Sequence, residues 1–271
     1  MRNYMYCIGA AAACSLLLCI GQTFSGDQIP LEDIIMKLSF SMEMICARTI
    51  FEMAFAYLAH IVFQAIFGLY IYSHFCSASV YYFSRCVDRK KWYAKELCGL
   101  LKFSCLYMVI TALTPTAILF LRGHLLAGFA SGVLLFYYIA IHTLWLFATT
   151  LFVNLVSIKL GSGHGFALVV SLQFMFMALL KLWETQFPLE GSKDVARNGY
   201  LLQLDPISHL VMDWHSSNIA GVEGLINRFG IDFDLNVSVA LYLCIALIAA
   251  MIGGYLIGRH DIIVANIEIG G

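Results

Sequence analysis

The sequence predicts an all-α, polytopic membrane protein, and three observations lead to that fold class. Of the 271 residues, 61% are hydrophobic and 12% are charged, whereas soluble proteins average about 45–50% and about 25%. The 16 basic and 17 acidic residues give a net charge of −1, so the chain lacks the basic excess typical of nucleic-acid binding. The apolar residues gather into six runs of the length that crosses a bilayer, about 20 residues. These observations exclude a soluble enzyme and a disordered chain.

Six transmembrane helices are expected, because backbone groups in lipid have no water partner and must be satisfied within each segment. Their predicted bounds are 4–24, 53–76, 99–121, 126–156, 166–187 and 237–258. The first run resembles a signal peptide, since Met1 and Arg2 precede an apolar stretch. It continues to Phe24 and five runs follow it, so we expect a retained helix and a single transmembrane domain over 1–271.

The distribution of Lys and Arg predicts the orientation of these helices. With the N-terminus in the cytosol, the inner segments total 47 residues and carry eight Lys and Arg, and the outer segments total 81 residues and carry six. Positive residues are enriched on the cytosolic side of membrane proteins. The sequence therefore predicts that both termini are cytosolic.

The segment 77–98, between the second and third spans, holds the densest basic cluster of the chain, with Trp92 and Tyr93 inside it. One interpretation is a positive loop that anchors the topology, with aromatic residues at the membrane surface. The other is a short cytosolic helix over 88–97 that docks onto another protein. Composition favours neither.

Two outer segments also show helical patterns. In 25–52, Ile34, Ile35 and Leu38 share one apolar face with Met42 and Ile45, which predicts an interfacial helix or an extension of the second span. In 188–236, Asp205 and Pro206 suit an N-cap and the first position of a helix. On a regular helix His209 and Asp213 share a face but His215 points elsewhere, so we expect no metal site.

Neutral polar residues within the spans are candidates for a substrate path. The alternative interpretation is hydrogen bonding between helices, worth about 0.6 kcal/mol each. The fourth span is rich in aromatic residues, among them Phe136, Tyr137 and Trp145. Their side chains could face lipid, a partner copy or an amphipathic cargo. Pro115 predicts a kink in the third span. The path candidates are His60, Gln64, Tyr138, His142, Asn154 and Gln173.

Catalytic motifs are missing from the sequence. There is no GxxxxGK[ST] phosphate loop, no HExxH zinc motif and no GxSxG nucleophile elbow. Gly161 to Gly165 lack the lysine of a phosphate loop and fit a tight turn. The sequence therefore predicts no enzyme and no cofactor or metal in this chain.

Three stretches resemble the permeases of type-2 ABC exporters, and most nearly the small permeases of bacterial peptide or antibiotic efflux and immunity systems. They are YYFSRCVDRKKWYAKEL at 81–97, LDPISHLVMDWH at 204–215 and IGRHDII at 257–263. The order of spans and connecting segments is also similar along the whole chain.

The resemblance implies a permease that pairs with a second copy or a related permease and with two cytosolic ABC ATPase subunits, which bind ATP and Mg. The segment 77–98 would be the coupling helix inserted into the ATPase, and the outer helices would form a gate over the exit. The implied coupling residues are Arg85, Asp88, Arg89, Lys90, Lys91, Trp92 and Lys95. The implied gate residues are Asp205, Pro206, His209, Trp214 and His215.

A different class of function remains open at this point. The chain could be a membrane receptor or immunity protein that binds a toxin or signal through 188–236 without an ATPase. A stoichiometric ATP-binding partner in the purified complex would distinguish the exporter from the receptor.

Overall fold

The computed structural model describes residues 2–24, 26–39, 54–81, 88–186, 202–219, 221–227 and 232–259. These residues are mostly α-helical. The helices are α1 (Arg2–Leu18), α2 (Ile20–Thr23), α3 (Leu31–Leu38), α4 (Leu58–Phe67), α5 (Tyr70–Tyr81), α6 (Arg89–Leu121), α7 (Phe129–Leu160), α8 (Ser162–Gln186) and α9 (Leu235–Arg259). Two single 3₁₀ turns, Ser208–Leu210 and Met212–Trp214, lie between α8 and α9.

Among the described residues, four two-residue strands join connecting segments at one end of the helix bundle. Strand β1 (Ile29–Pro30) pairs in parallel with β2 (Leu125–Leu126), and β3 (His215–Ser216) pairs in parallel with β4 (Phe233–Asp234). We call this the capped end. The far end holds the start of α6 and the turn between α7 and α8, where Gly161 has a φ of 93°. That turn confirms the tight turn predicted from the glycine cluster.

Five helices of the described residues are long and apolar enough to cross a membrane. The all-α membrane class is therefore confirmed, and five of the six predicted runs have a counterpart. These helices are Leu58–Ser77, Arg89–Leu121, Phe129–Leu160, Ser162–Leu180 and Leu235–Gly258. The first predicted run, 4–24, consists of α1 followed by α2. The 17 residues of α1 rise about 26 Å, which is less than the roughly 30 Å thickness of the hydrocarbon core.

Helix α7 is the centre of the bundle. Its most apolar window is 72% buried, whereas those of α8 and α9 are each 28% buried. Helices α6, α8 and α9 all pack against α7, and α1 packs against α6. The fourth predicted span is therefore the one that most other elements contact.

Helix α6 is longer than the predicted third span, which began at residue 99. It has 33 residues and runs unbroken through Pro115, so it rises about 50 Å. The predicted cytosolic helix over 88–97 does begin where expected, because Asp88 is its N-cap. It is not a separate helix, however, since the chain continues in one helix to Leu121.

Helix α3 falls within the predicted amphipathic segment 25–52. Its apolar residues Ile34, Ile35 and Leu38 are buried, and it packs against α6, α7 and the Met212–Trp214 turn. The apolar face thus contacts protein. Met42 and Ile45 lie outside the described residues.

Candidate functional site

The segment that follows Asp205 departs from the helix predicted there. Asp205 Oδ1 accepts from the backbone N–H of Ile207 at 2.8 Å, as an N-cap would. The chain then forms two 3₁₀ turns separated by Val211, which is extended with φ −83° and ψ 101°. The regular-helix prediction was therefore wrong, and so was the separation of His209 from His215 that it implied.

His209 and His215 meet on one hydroxyl of α9. His209 Nδ1 lies 2.8 Å from Ser238 Oγ, and His215 Nε2 lies 2.9 Å from the same oxygen. Their other ring nitrogens face backbone carbonyls: His209 Nε2 is 2.9 Å from Gln203 O, and His215 Nδ1 is 2.9 Å from Val211 O. Ser238 is fully buried, so no substrate reaches its hydroxyl while this segment is in place.

Burial dominates the electrostatics of this segment. It lowers the pKa of His209, and it lowers the pKa of His215 to about 4, with His209 adding to the effect. Burial raises the pKa of Asp205 to about 6, against the hydrogen bonds from the backbone of Ile207 and Ser208. Burial therefore opposes the charged form of each of these three side chains.

The five residues implied as a gate lie together at the capped end. Asp205, His209, Trp214 and His215 are buried, and the Pro206 carbonyl accepts from the hydroxyl of Tyr242 on α9 at 2.5 Å. Two buried polar atoms, Asp205 Oδ2 and Trp214 Nε1, have no hydrogen-bond partner among the described residues. We call the segment 205–215 the plug. It packs against α9 through both polar and apolar contacts.

Inside the bundle, the path candidates of the capped half form a chain of rings between α4 and α7. His142 Nδ1 lies 3.2 Å from His60 Nε2, and the Tyr138 and His142 rings are 4.3 Å apart. Tyr57 stacks on His60, and the Trp145 indole N–H donates to the Tyr57 hydroxyl at 2.6 Å. The backbone of Leu210 lies close to the His142 ring. The plug and the ring chain are therefore in direct contact.

Deeper in the bundle, three helices share one amide network. Gln64 Nε2 donates to Thr149 Oγ1 at 2.9 Å and to Gln173 Oε1 at 3.1 Å. Gln173 Nε2 donates back to Gln64 Oε1 at 3.3 Å. These bonds join α4, α7 and α8 within the membrane-spanning helices.

Asn154 of α7 binds the break between α4 and α5. Its Oδ1 accepts from the backbone N–H of Ile71 at 2.7 Å and of Tyr72 at 3.1 Å, and its Nδ2 donates to Phe67 O at 3.1 Å. These backbone groups belong to the interruption of the second span, where water would otherwise be needed. The side chain of Asn154 therefore stabilises the break between α4 and α5 by satisfying its backbone hydrogen bonds.

An apolar cavity of about 310 Å³ lies between α7, α8 and α9. Pro206 lines it together with residues of all three helices, and the side chains of Gln173 and Thr149 also border it. Of the six path candidates, Gln173 is the one that lines this cavity. The others contact helices: His60, Gln64, Tyr138, His142 and Asn154 are all buried.

The start of α6 carries the residues implied in coupling, except Arg85, which lies outside the described residues. Asp88 Oδ1 accepts from the backbone N–H of Lys90 at 3.0 Å and of Lys91 at 3.4 Å. Lys90, Lys91 and Lys95 are exposed and Arg89 is half-buried. Trp92 instead packs toward the bundle, with its ring 6.2 Å from that of Phe75.

Sequence reasoning missed three residues that take part in these contacts. Ser238 and Tyr242 of α9 bond the plug, and Tyr57 bonds Trp145. Their signal was weak, because a single Ser or Tyr in an apolar run is unremarkable before its partners are known. Among the described residues, no group of three His, Cys, Asp or Glu side chains is arranged to hold a metal ion.

No family model, curated protein or solved structure matches this chain. Its class therefore rests on its own helices, which define a multi-pass α-helical membrane protein.

Proposed function

We propose that this chain is the transmembrane permease subunit of an ATP-driven ABC exporter, which moves a peptide, antibiotic or other amphipathic cargo across the cytoplasmic membrane. In this proposal it pairs with a second permease and with cytosolic ATPase subunits that bind ATP and Mg. The observation that carries the proposal is the exposed basic start of α6, on a helix too long for the bilayer.

The length of α6 supports an aqueous location for its first turns. A helix of 33 residues rises about 50 Å, against about 30 Å of hydrocarbon. Placing Lys90, Lys91 and Lys95 outside the lipid avoids a cost of about 2.5–3.5 kcal/mol for each charge at the bilayer centre. With both termini cytosolic, these lysines face the compartment that holds ATP.

Contacts at the far end would transmit a movement of these first turns to other helices. Glu96 of α6 pairs with His74 of α5 at 2.8 Å. Tyr93 of α6 packs against Gly253 of α9. A displacement of α6 by a closing ATPase would therefore move α5 and α9 as well.

The cavity between α7, α8 and α9 suits the apolar part of an amphipathic cargo. Its wall is apolar, because the Gln173 side chain that borders it directs its amide to Gln64. Pro206 of the plug lines the same cavity, so a cargo that left toward the capped end would have to displace the plug.

The experiment is copurification of the tagged chain from its native membrane, followed by substitution of Lys90, Lys91 and Lys95 together by Ala. We expect a stoichiometric ATP-binding partner with the native chain and its loss from the triple variant. Lys102→Ala is the matched control, because Lys102 is an exposed lysine on the same helix. Unchanged partner association in the triple variant would contradict the coupling role.

The receptor alternative has less support. A surface that captures a toxin or signal should be exposed, but 205 and 207–215 are buried residues. The stretch 205–215 therefore offers little capture surface, although exposed residues such as Leu204 and Asn218 flank it.

A further inference from the structure

The contacts around Ser238 require more protons than neutral side chains supply. There are four contacts: two between the imidazoles and Ser238 Oγ, and two between the imidazoles and backbone carbonyls. Each contact needs one hydrogen between its two heavy atoms. Two neutral histidines and one serine carry only three such hydrogens.

The carbonyls decide where the hydrogens of the neutral rings must be. A carbonyl oxygen is only an acceptor, so Nε2 of His209 and Nδ1 of His215 must carry the ring protons. The nitrogens that remain, Nδ1 of His209 and Nε2 of His215, are then both acceptors. The single hydroxyl hydrogen of Ser238 satisfies one of them and leaves two lone pairs facing each other at the second contact.

One added proton removes this conflict. An imidazolium donates through both of its nitrogens, so it serves its carbonyl and Ser238 Oγ together. The hydroxyl then donates to the other, neutral imidazole, and all four contacts hold one hydrogen each. A second added proton would place two cations on one oxygen and leave the hydroxyl hydrogen without its acceptor.

We propose that His209, Ser238 and His215 form a proton-binding site, in which the two imidazoles share a single proton across the serine hydroxyl. The site joins the plug to the start of α9. Binding of the proton strengthens that junction, and its release costs one of the two contacts to Ser238.

Some groups around the site favour protonation of the imidazoles and others oppose it. The carboxylate of Asp234 on β4 favours the charged form of His215, whereas burial and the second imidazole oppose it. His142 of α7 interacts with His215 electrostatically, and the Phe233 ring stacks on His209 at 4.8 Å. Other ionisable groups on the elements packed here are Asp205 and Asp213 of the plug, Tyr242 of α9, and Glu32, Asp33 and Lys37 of α3.

Titration of the two rings tests the proposal. The full chain with ¹⁵N-labelled histidine is reconstituted in lipid nanodiscs, and the imidazole ¹⁵N shifts are followed from pH 8 to pH 4. His209→Gln and His215→Gln assign the signals. We expect the two rings to gain one proton between them over this range. Two protons taken up independently, or none, would overturn the proposal.

Removal of the bridge gives a second measurement. In Ser238→Ala the imidazolium loses its acceptor, so proton binding should weaken by at least about tenfold, which is one pH unit. Ser104→Ala is the matched control, since Ser104 is equally buried but its hydroxyl bonds the Leu100 carbonyl of its own helix. Ser238→Thr retains a hydroxyl and should retain the shared proton. An unchanged titration in Ser238→Ala would show that the serine is not the bridge, and the proposal would fail. If Ser238→Ala does not fold, the native titration and Ser238→Thr decide.

Discussion

Tyr93 of α6 lies so close to Gly253 of α9 that a β-carbon at residue 253 would overlap the tyrosine hydroxyl and come within 2.7 Å of its Cζ. The two helices are therefore in close contact at this point near the far end. Leu155 of α7 completes the contact, at 2.9 Å from that β-carbon position.

Gly253→Ala is expected to destabilise the protein by about 1–3 kcal/mol, because an inserted methyl in a packed interior forces the helices apart. Gly258→Ala is the control, since a β-carbon at residue 258 meets no atom within 4 Å. Thermal unfolding in detergent, followed by size-exclusion chromatography, measures both. Adding Tyr93→Phe should restore part of the loss, and equal midpoints for the two alanine variants would contradict the contact.

The turn between α7 and α8 should show the same sensitivity at Gly165. A β-carbon there would meet the Ser157 hydroxyl, and would lie 2.7 Å from Ser157 N and 2.8 Å from Val153 O. Backbone atoms cannot rotate away, so Gly165→Ala should lower the unfolding midpoint clearly. Gly163→Ala, which meets nothing within 4 Å, should leave the midpoint unchanged; a similar loss in both variants would refute the close packing.

Gln64 and Gln173 should be energetically coupled, since each amide donates to the other. Either Gln→Leu substitution alone leaves a buried amide short of a partner, so the double variant should lose less stability than the sum of the single variants. We expect a coupling of about 0.6 kcal/mol, and at most about 1.7 kcal/mol, as measured for hydrogen bonds between membrane helices. A double-mutant cycle measures it, and Gln64→Leu with Asn218→Ala, at an exposed site, is the additive control.

Asp205 should make the protein more stable at mildly acidic pH. Its pKa is about 6 in the folded protein against 3.8 for the free side chain, so between these values the folded state binds more protons. Stability from this group therefore rises as pH falls from 7 toward 4. Asp205→Asn does not titrate and should be more stable than the native chain at pH 7, by up to about 2–3 kcal/mol.

Unfolding midpoints at pH 5 and pH 7 check this expectation. The difference between the two pH values should shrink in Asp205→Asn. It should stay at the native value in Asp27→Asn, where the acid is exposed. A native pH difference that persists in Asp205→Asn would assign the effect to other groups.

The orientation is open to labelling in intact cells. Asn218 at the capped end and Lys90 at the far end are both exposed. A membrane-impermeant maleimide should label Asn218→Cys in intact cells but Lys90→Cys only after permeabilisation, above the background of the native cysteines. The reverse pattern would invert the proposed topology and remove the basis of the coupling role.

The membrane-spanning helices were predictable from the sequence because they depend on composition and run length. Burial of helices in lipid requires many apolar residues in sequence, and this signal survives without knowledge of any contact. The helix start at Asp88 was also predictable, because an N-cap acts within three residues.

The plug was not predictable, because its shape depends on partners distant in sequence. Ser238 and Tyr242 hold the segment from α9, and the ring of His142 reaches Leu210 from α7. Local preference at Asp205 and Pro206 favoured an α-helix, and these tertiary contacts favour two short turns instead. The role of Asn154 was hidden for the same reason, since its partners are backbone groups 82 to 87 positions away.

Helix α6 connects the two ends of the bundle. Its basic first turn and its last turn, where Arg122 bonds the Thr23 carbonyl, belong to a single rod. Pro115 has no backbone N–H and cannot donate to the carbonyl one turn before it. The helix therefore lacks one backbone hydrogen bond near the capped end. If the first turns of α6 were displaced, the helix would therefore bend most readily at Pro115, which lies close to the capped end.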